Sequence, residues 1–418
     1  MSTIKPTASS QRVASVDALR GFAILGILFA NILSWSGYKF IPFTAMEGLK
    51  WHEFDSYIST FLSVFIDTKF YTIFSLLFGI GFYFQFKKFK NQADQKPFVD
   101  VYRRRMSFLI LFGFIHMTFW SGDILMLYGM MGFILLELRN LTKENLLKVS
   151  MILLMSSLVL DVILMYVAPG YGVPDVALAK KHYIDMAPEA VSAAFMSGDW
   201  LTTLKVNAHN IMWRWFDFVP MGRPTKVLGL FLMGYYLAEQ NFFNTTAKKG
   251  VNFWKFFIPG IALTLTGKYL IGGSMSAIPT QWSDILFKAI EVPGQVLLSL
   301  SYVCLLVVTY ESNFGKKALQ GLTDVGRMSF TNYLSHTIFG IVLFYGVGFG
   351  YFGQWSLTQI WIVAVGFYAF QIAFSRIWLK VFAFGPLEWG WRCLTYKTMF
   401  PIRRSTIAEQ KRMAQQTA

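Results

Sequence analysis

Two ionisable side chains flank a very short polar break between two apolar runs, in FIHMTFWSGDILMLY at residues 114–128. The break, SGD at residues 121–123, is typical of a tight hairpin at a membrane surface. Such a turn would bring His116 and Asp123 together, as a general base and the carboxylate that orients it. A positioned base accepts a proton from a hydroxyl or amine and typically accelerates a reaction by about 100 to 10,000-fold. Alternatively, Asp123 caps the next helix and His116 bonds a neighbouring helix, so both interpretations stay open.

A second candidate base is His52, within WHEFD at residues 51–55, on the same predicted side of the membrane as His116. Ionisable clusters in exposed interfacial loops are usually just solvated. We therefore expect His52 to take part in chemistry only if the first outer loop folds over the hairpin.

Basic residues near the opposite membrane surface could hold an anionic substrate. Asp17 and Arg20 have the i,i+3 spacing of a simple ion pair at the start of the first span. The alternative is a basic mouth that binds phosphate groups, formed by Arg20, Arg103, Arg104, Arg105 and Arg327. The rule that loops on the cytoplasmic side carry positive charge explains most of these arginines as well.

Two further candidates for substrate contact lie in the C-terminal half of the chain. Glu291 comes just before a Pro-Gly pair at 293–294, which predicts a broken helix that lines a substrate path. Lys288, one turn earlier, offers Glu291 an ordinary ion pair instead. Asn332 belongs to GRMSFTNYLSHT at 326–337, where polar residues share one helix face and predict a hydrogen-bonded seam between helices.

The elements that position these residues are transmembrane helices. The chain of 418 residues is 55% hydrophobic and 15% charged, which excludes a soluble globular protein. Apolar runs predict an all-α, polytopic bundle of about ten spans. These runs lie near 18–36, 57–86, 106–120, 122–138, 146–168, 226–240, 253–272, 285–310, 328–350 and 357–379.

The net charge of +15 comes from basic residues concentrated in particular loops, so it does not indicate binding to nucleic acid. Lysine and arginine are concentrated in alternate loops. This predicts that the protein lies in a bacterial inner membrane with both termini in the cytoplasm. The predicted organisation is a cytoplasmic tail over 1–15, an N-terminal transmembrane half over 16–168, an external helical cap over 169–225, a C-terminal transmembrane half over 226–384, and an interfacial helix with a basic tail over 385–418.

Common cofactor motifs are absent from the chain. It contains two cysteines, Cys304 and Cys393, too few for a disulfide framework or a cysteine-based metal site. Neither GxxxxGK[ST] nor HExxH occurs. We therefore expect no metal and no tightly bound cofactor.

Several motifs together resemble the YeiB-type membrane proteins, the bacterial family that carries domain of unknown function 418. The resemblance covers nearly the whole chain. It rests on VDALRGFAILGILFANI at 16–32, KFYTIFSLLFGIGF at 69–82, the arginines at 103–105, FGFIHMTFWSGDILMLYGMMG at 112–132, GRMSFTNYLSHT at 326–337 and FGPLEWGWRCLTY at 384–396.

That family in turn resembles transmembrane acyltransferases such as heparan-alpha-glucosaminide N-acetyltransferase, which use a histidine. The resemblance implies that an acyl group moves from a cytoplasmic thioester, for example acyl-coenzyme A, to an outward-facing hydroxyl or amine of a glycan, lipid or small metabolite. His116, or else His52, would be the base, and the arginines would meet the phosphates of the donor. A transporter or exporter whose path includes Glu291 and Asp161 stays an alternative, as does a non-enzymatic membrane scaffold. The sequence does not indicate an oligomeric state.

Overall fold

The computed structural model describes residues 14–167, 188–218, 222–271, 280–407 and 409, and these residues are overwhelmingly helical. The helices are α1 Ala14–Trp35, α2 Phe43–Met46, α3 Asp55–Phe61, α4 Lys69–Phe86, α5 Lys96–Phe119, α6 Leu125–Glu137, α7 Lys143–Val167, α8 Pro188–Met196, α9 Trp200–Phe218, α10 Arg223–Glu239, α11 Val251–Leu265, α12 Thr280–Glu311, α13 Asn313–Ala318, α14 Gln320–Arg327, α15 Ser329–Phe344, α16 Leu357–Val381 and α17 Pro386–Tyr396. This confirms the predicted all-α class.

Five helical segments within the described residues are long and apolar enough to cross a membrane. They are Ala14–Phe40, His52–Phe86, Lys143–Ile163, Ile285–Glu311 and Leu357–Val381. The apolar helix α6 is shorter, with 13 residues, and α5 begins with a strongly charged stretch. Long apolar segments of this kind are typical of a membrane protein.

The bundle has two opposite ends, which helix α1 connects. Its 22 residues span about 33 Å at the helical rise of 1.5 Å per residue. Asp17 and Arg20 lie near its first turn, at what we call the arginine end. Trp35 ends the helix and its ring lies 4.6 Å from that of Trp120, beside residues 121–123, at what we call the hairpin end.

Small residues allow neighbouring helices to touch through their backbones. A Cβ added at Gly79 of α4 would lie 1.9 Å from the Phe231 carbonyl oxygen of α10. In return, a Cβ at Gly234 of α10 would lie 2.1 Å from the Leu76 carbonyl oxygen of α4. Because membrane helices associate largely by close packing, these reciprocal glycines fix the distance between α4 and α10.

The predicted break at the Pro-Gly pair 293–294 is wrong, since α12 runs continuously over 32 residues with Pro293 inside it. A proline removes one helical hydrogen bond, but neighbouring helices can compensate for that loss in a membrane bundle. Gly294 packs closely on α11, where an added Cβ would lie 3.2 Å from the Leu263 Cβ.

Part of the predicted external cap is helical. Helices α8 and α9 fall within 169–225, whereas residues 169–187 and 219–221 lie outside the described residues. Helix α9 packs on α5, so this part of the cap covers the hairpin end.

Candidate functional site

His116 and Asp123 form a buried pair, each with about 3% of its surface exposed. The predicted contact is present, because His116 Nδ1 lies 2.8 Å from Asp123 Oδ1. A carboxylate only accepts hydrogen bonds, so we assign the proton to Nδ1 and leave Nε2 as the acceptor of the neutral ring. This is the tautomer that a general base requires.

Asp123 also fulfils its alternative prediction as a helix cap. Its Oδ2 accepts a hydrogen bond of 2.9 Å from the Met126 amide in the first turn of α6. Each carboxylate oxygen therefore has its own partner: Oδ1 binds the imidazole and Oδ2 binds the first turn of α6.

Helix α15 supplies two further side chains around the imidazole. Thr337 Oγ1 lies 2.7 Å from His116 Nε2, and the ring of Tyr333, one turn earlier, lies 5.3 Å from the imidazole ring. Neither residue was predicted as part of a site, although both belong to the polar motif SFTNYLSHT. Thr337 holds Nε2, the nitrogen that would accept a proton from a substrate.

Helix α9 covers the hairpin from the far side. Asn207 accepts a hydrogen bond of 2.8 Å from the Ser121 amide and donates to the carbonyls of Met117 and Thr118. Arg214 donates to the Gly122 carbonyl at 3.2 Å. These contacts satisfy the backbone groups that the helix end and the turn leave open.

A cavity of 310 Å³ runs between the arginine end and the buried histidine. Its wall includes Asp17 and Arg20 at the arginine end, and Tyr128 and Tyr333 at its inner end. The described residues that line it do not include His116, so the ring of Tyr333 separates the cavity from the imidazole. Tyr333 thus both lines the cavity and packs beside the imidazole.

Three of the predicted mouth arginines, Arg20, Arg105 and Arg327, line this cavity. Arg20 forms the predicted ion pair, with its Nη1 at 2.7 Å from Asp17 Oδ1. Arg105 shares one stripe of α5 with other lining residues, at the helical spacings i, i+3, i+4 and i+7. That stripe consists of Tyr102, Arg105, Met106 and Leu109.

Arg103 and Arg104 do not line the cavity, because consecutive residues of a helix point about 100° apart. Arg103 lies at the surface, 3.3 Å from the Glu137 carboxylate. Arg104 donates a hydrogen bond of 3.0 Å to the Thr395 carbonyl and so anchors α17.

Helix α17 adds an arginine that the sequence analysis did not include. Arg392 lines the cavity, and its guanidinium lies 4.3 Å from the centre of the Phe384 ring. Glu388 of the same helix accepts from the amides of Phe330 and Thr331, at 2.7 and 3.0 Å. Burial raises the pKa of the Glu388 carboxyl, although the hydrogen bonds from Thr331 and Phe330 oppose that shift. The amphipathic motif FGPLEWGWRCLTY was the available signal.

His52 lies in a different environment. Its Nδ1 is 3.1 Å from Asp55 Oδ2, and Asp55 accepts from the amides of Leu357 and Thr358 at the start of α16. His52 shares no hydrogen-bond partner with His116 in the described part of the chain. Its position indicates a role in holding α16.

The other two candidates lie outside the cavity wall. Asn332 Nδ2 donates to the Val325 carbonyl at 3.2 Å and to Ser375 Oγ at 3.0 Å, as the predicted seam requires. Glu291 interacts electrostatically with Lys69 of α4 and Lys226 of α10, while Lys288, its expected partner, binds Asp161 at 2.7 Å.

The described residues contain no group of three or more histidine, cysteine or acidic side chains able to hold a metal ion. Cys304 and Cys393 are both buried.

The comparisons with known proteins identify the relatives of this chain. Residues 237–398 match the family model described as "Protein of unknown function (DUF418)". "Uncharacterized protein YxaH" of Bacillus subtilis (strain 168) is 30% identical, over 97% of this chain and 100% of its own length. "Uncharacterized protein YeiB" of Escherichia coli (strain K12) is 26% identical, over 95% of this chain and 99% of its own length. No solved structure matches the chain. Because a 30% identical relative matches 97% of this chain, and the DUF418 model matches residues 237–398, the chain belongs to the YeiB-type DUF418 family.

Proposed function

We propose that the protein is a membrane acyltransferase that moves an acyl group from a cytoplasmic thioester to an outward-facing hydroxyl or amine. One observation carries the proposal: the cavity begins among arginines and ends at Tyr333, whose ring contacts the His116–Asp123 pair. A donor with phosphate groups and an acceptor that needs a base would meet there.

The proposed membrane arrangement has about ten spans, with both termini and the arginine end in the cytoplasm of a bacterial cell. The apolar helices and the alternate placement of basic residues support it. The arginine end would then face acyl-coenzyme A, and the hairpin end would face outward.

The four lining arginines would bind the phosphates of the donor. Arginine forms paired, charge-assisted hydrogen bonds with phosphate oxygens. The volume of 310 Å³ is at the lower end of the range of about 300–1,000 Å³ that ligand pockets occupy. It suits the acyl-bearing arm of a thioester better than the whole donor, whose phosphates would stay at the mouth.

His116 is the base of the proposed reaction. The acceptor hydroxyl or amine replaces Thr337 at Nε2 and gives its proton to that nitrogen as its oxygen or nitrogen attacks the thioester carbonyl. The carbon–sulfur bond breaks, the acyl group joins the acceptor, and the thiolate leaves and recovers the proton. Asp123 stabilises the imidazolium that forms between these steps through Nδ1–H.

The alternatives have less support from the geometry. The transporter was motivated by a broken helix near Glu291, and α12 is continuous there. A scaffold with only structural ionisable residues would not need a cavity that runs from the arginines to Tyr333 beside the histidine.

The direct test measures donor binding and acyl transfer separately. Acetyl-coenzyme A should raise the melting temperature of the purified protein, since a ligand at about 100 times its Kd stabilises by about 2.7 kcal/mol. Membranes that contain the protein should transfer labelled acetyl groups, and His116→Ala should lower that rate by about 100-fold or more.

The matched control is His52→Ala, which removes a histidine from the same end of the bundle without touching the cavity. It should keep most of the transfer activity. Full activity in a correctly inserted His116→Ala variant would show that His116 is not the base.

A further inference from the structure

Five cations lie close together in the hairpin half of the bundle, away from the arginine end. Lys69 of α4 donates to the Ser63 carbonyl at 3.0 Å, and Lys268 donates to the Ser63 hydroxyl. Lys288 of α12 binds Asp161. We call these, together with Arg223 and Lys226 of α10, the outer basic cluster, whose members are Lys69, Arg223, Lys226, Lys268 and Lys288.

The carboxylates within reach do not balance this cluster. Asp67 interacts electrostatically with Lys69, Lys268 and also Lys39, and Glu291 interacts with Lys69 and Lys226. With Asp161, these are three carboxylates for the five cations of the cluster, an excess of two positive charges among the side chains that the structure describes. Lys69 is buried and the other four cations are partly buried, so a bound anion that offsets this excess would be stabilised here.

Arg223 and Lys226 are the two members of the cluster that carry its excess positive charge. Neither has an ion pair or a side-chain hydrogen bond to another described residue, although the Arg223 guanidinium lies 4.0 Å from the centre of the Tyr71 ring. Both lie in the first turn of α10, three residues apart and on one face. The positive end of a helix dipole repels cations there, so helix stability does not explain them.

Topology does not explain them either. The rule that places lysine and arginine on the cytoplasmic side predicts few cations at the hairpin end. A helix start without a side-chain cap and with two cations on one face is, however, suited to bind a phosphate group.

The cluster also adjoins the inner end of the cavity. The Arg223 guanidinium lies over the ring of Tyr71. The backbone carbonyl of Tyr71 accepts a hydrogen bond of 3.4 Å from the Tyr128 hydroxyl. Tyr128 lines the cavity near Tyr333. The cluster and the histidine pair therefore approach the same inner end from two sides.

We propose that Arg223 and Lys226, at the start of α10, bind a phosphate group of the acceptor. The identification of this ligand as the acceptor rests on the proposed function. The phosphate site itself does not depend on acyl transfer. A phosphate monoester carries about −1.5 to −2 charges at neutral pH, which matches the excess of the cluster. The phosphate belongs either to a lipid headgroup or to a soluble compound.

The test measures binding to the purified full chain in neutral detergent without phosphate. The probes are short-chain phosphatidic acid, inorganic phosphate and, as the neutral reference, short-chain diacylglycerol. We expect phosphatidic acid to bind in a salt-sensitive manner, and Arg223→Gln with Lys226→Gln to weaken that binding by about tenfold or more. The control, Lys316→Gln with Lys317→Gln at the exposed arginine end, should bind as the wild type does.

Stability distinguishes a ligand site from a structural role. The double glutamine variant should melt at the same or a higher temperature than the wild type without phosphate, because it loses mutually repelling charges. A clearly lower melting temperature would instead show that the cations serve folding, and it would overturn the proposal. Arg223→Lys, which keeps the charge and loses the planar fork, should bind with intermediate affinity.

The probes also separate the sources of the phosphate and the two proposals. Binding of phosphatidic acid alone supports a lipid acceptor, and equal binding of inorganic phosphate supports a soluble one. Absence of binding by either probe overturns the site. If phosphate binds and acetyl-coenzyme A does not stabilise the protein, the acyltransferase proposal fails and the phosphate site stands.

Discussion

Both ring nitrogens of His116 have partners before any substrate arrives. Asp123 fixes Nδ1, and Thr337 occupies Nε2. The imidazole is therefore held in one tautomer and one orientation, and the proposed acceptor would have to displace a single hydroxyl to reach it. Positioning of this kind would remove a reorganisation cost from the proposed reaction.

The hydroxyl of Thr337 can be tested by substitution. Thr337→Val keeps the shape of the side chain and leaves Nε2 of the buried imidazole without a donor. An unsatisfied buried polar group costs about 1–3 kcal/mol, so the variant should unfold at a lower temperature in detergent.

Thr337→Ser is the matched control, because it keeps the hydroxyl, and its melting temperature should stay closer to that of the wild type. Equal melting temperatures for the valine variant and the wild type would contradict the hydrogen bond to His116.

At the scale of elements, the pairing of α5 with α6 decides where His116 and Asp123 meet. Gly113 of α5 lies against the start of α6, and an added Cβ would be 2.3 Å from the Met126 amide nitrogen. That amide donates to Asp123. The hairpin is tight because α5 carries no side chain at this contact.

Gly113→Ala should therefore force α5 and α6 apart. Overpacking typically costs about 1–3 kcal/mol, and here the obstacle is backbone that cannot rotate away. We expect a lower melting temperature together with a loss of acyl transfer.

Gly366→Ala in α16 is the control, since no atom lies within 4 Å of an added Cβ and the site is exposed in a helix. Alanine is favoured over glycine in helices by about 1 kcal/mol, so this variant should be as stable as the wild type or more stable. The same loss in both variants would contradict the close contact at Gly113.

The helices were predictable because long apolar runs leave few alternatives. The His116–Asp123 contact was also predictable, since only the short turn separates the two helices. Pro293 misled the prediction because a proline does not have to end a membrane helix: neighbouring helices, which sequence does not show, can compensate for the missing hydrogen bond. The sequence also did not show which of the three adjacent arginines at 103–105 faces the cavity, and only Arg105 lines it.

The rest of the site depends on contacts between distant parts of the chain. Thr337 lies 221 residues beyond His116, and Asn207 lies 86 residues beyond Ser121. A single sequence contains no signal for such pairs. Arg392 was similarly hidden, because its motif on α17 also suits an ordinary interfacial helix.

For the whole molecule, the main question is which side of the membrane each end of the bundle faces. The proposal needs the arginine end inside, where acyl-coenzyme A is made, and the cap outside. Both depend on the orientation that the basic loops favour.

Cysteine labelling tests this orientation. In a chain with Cys304 and Cys393 replaced by alanine, Ser197→Cys near the cap should react with a membrane-impermeant maleimide in intact cells. Lys316→Cys at the arginine end should react only after the membrane is opened. Both positions are exposed in the structure. The reverse pattern would contradict the proposed orientation.

The single ring of Tyr333 between the cavity and His116 has an electrical consequence. Water that entered the cavity from the arginine end would stop at this ring, and α9 covers the hairpin beyond it. Because a water-filled cavity conducts, most of the transmembrane voltage would fall across this thin layer. An elementary charge that crosses 100 mV changes in free energy by about 2.3 kcal/mol. A proton that moves to or from His116 would therefore travel where the field is steepest, and the rate of transfer would vary with the energised state of the membrane.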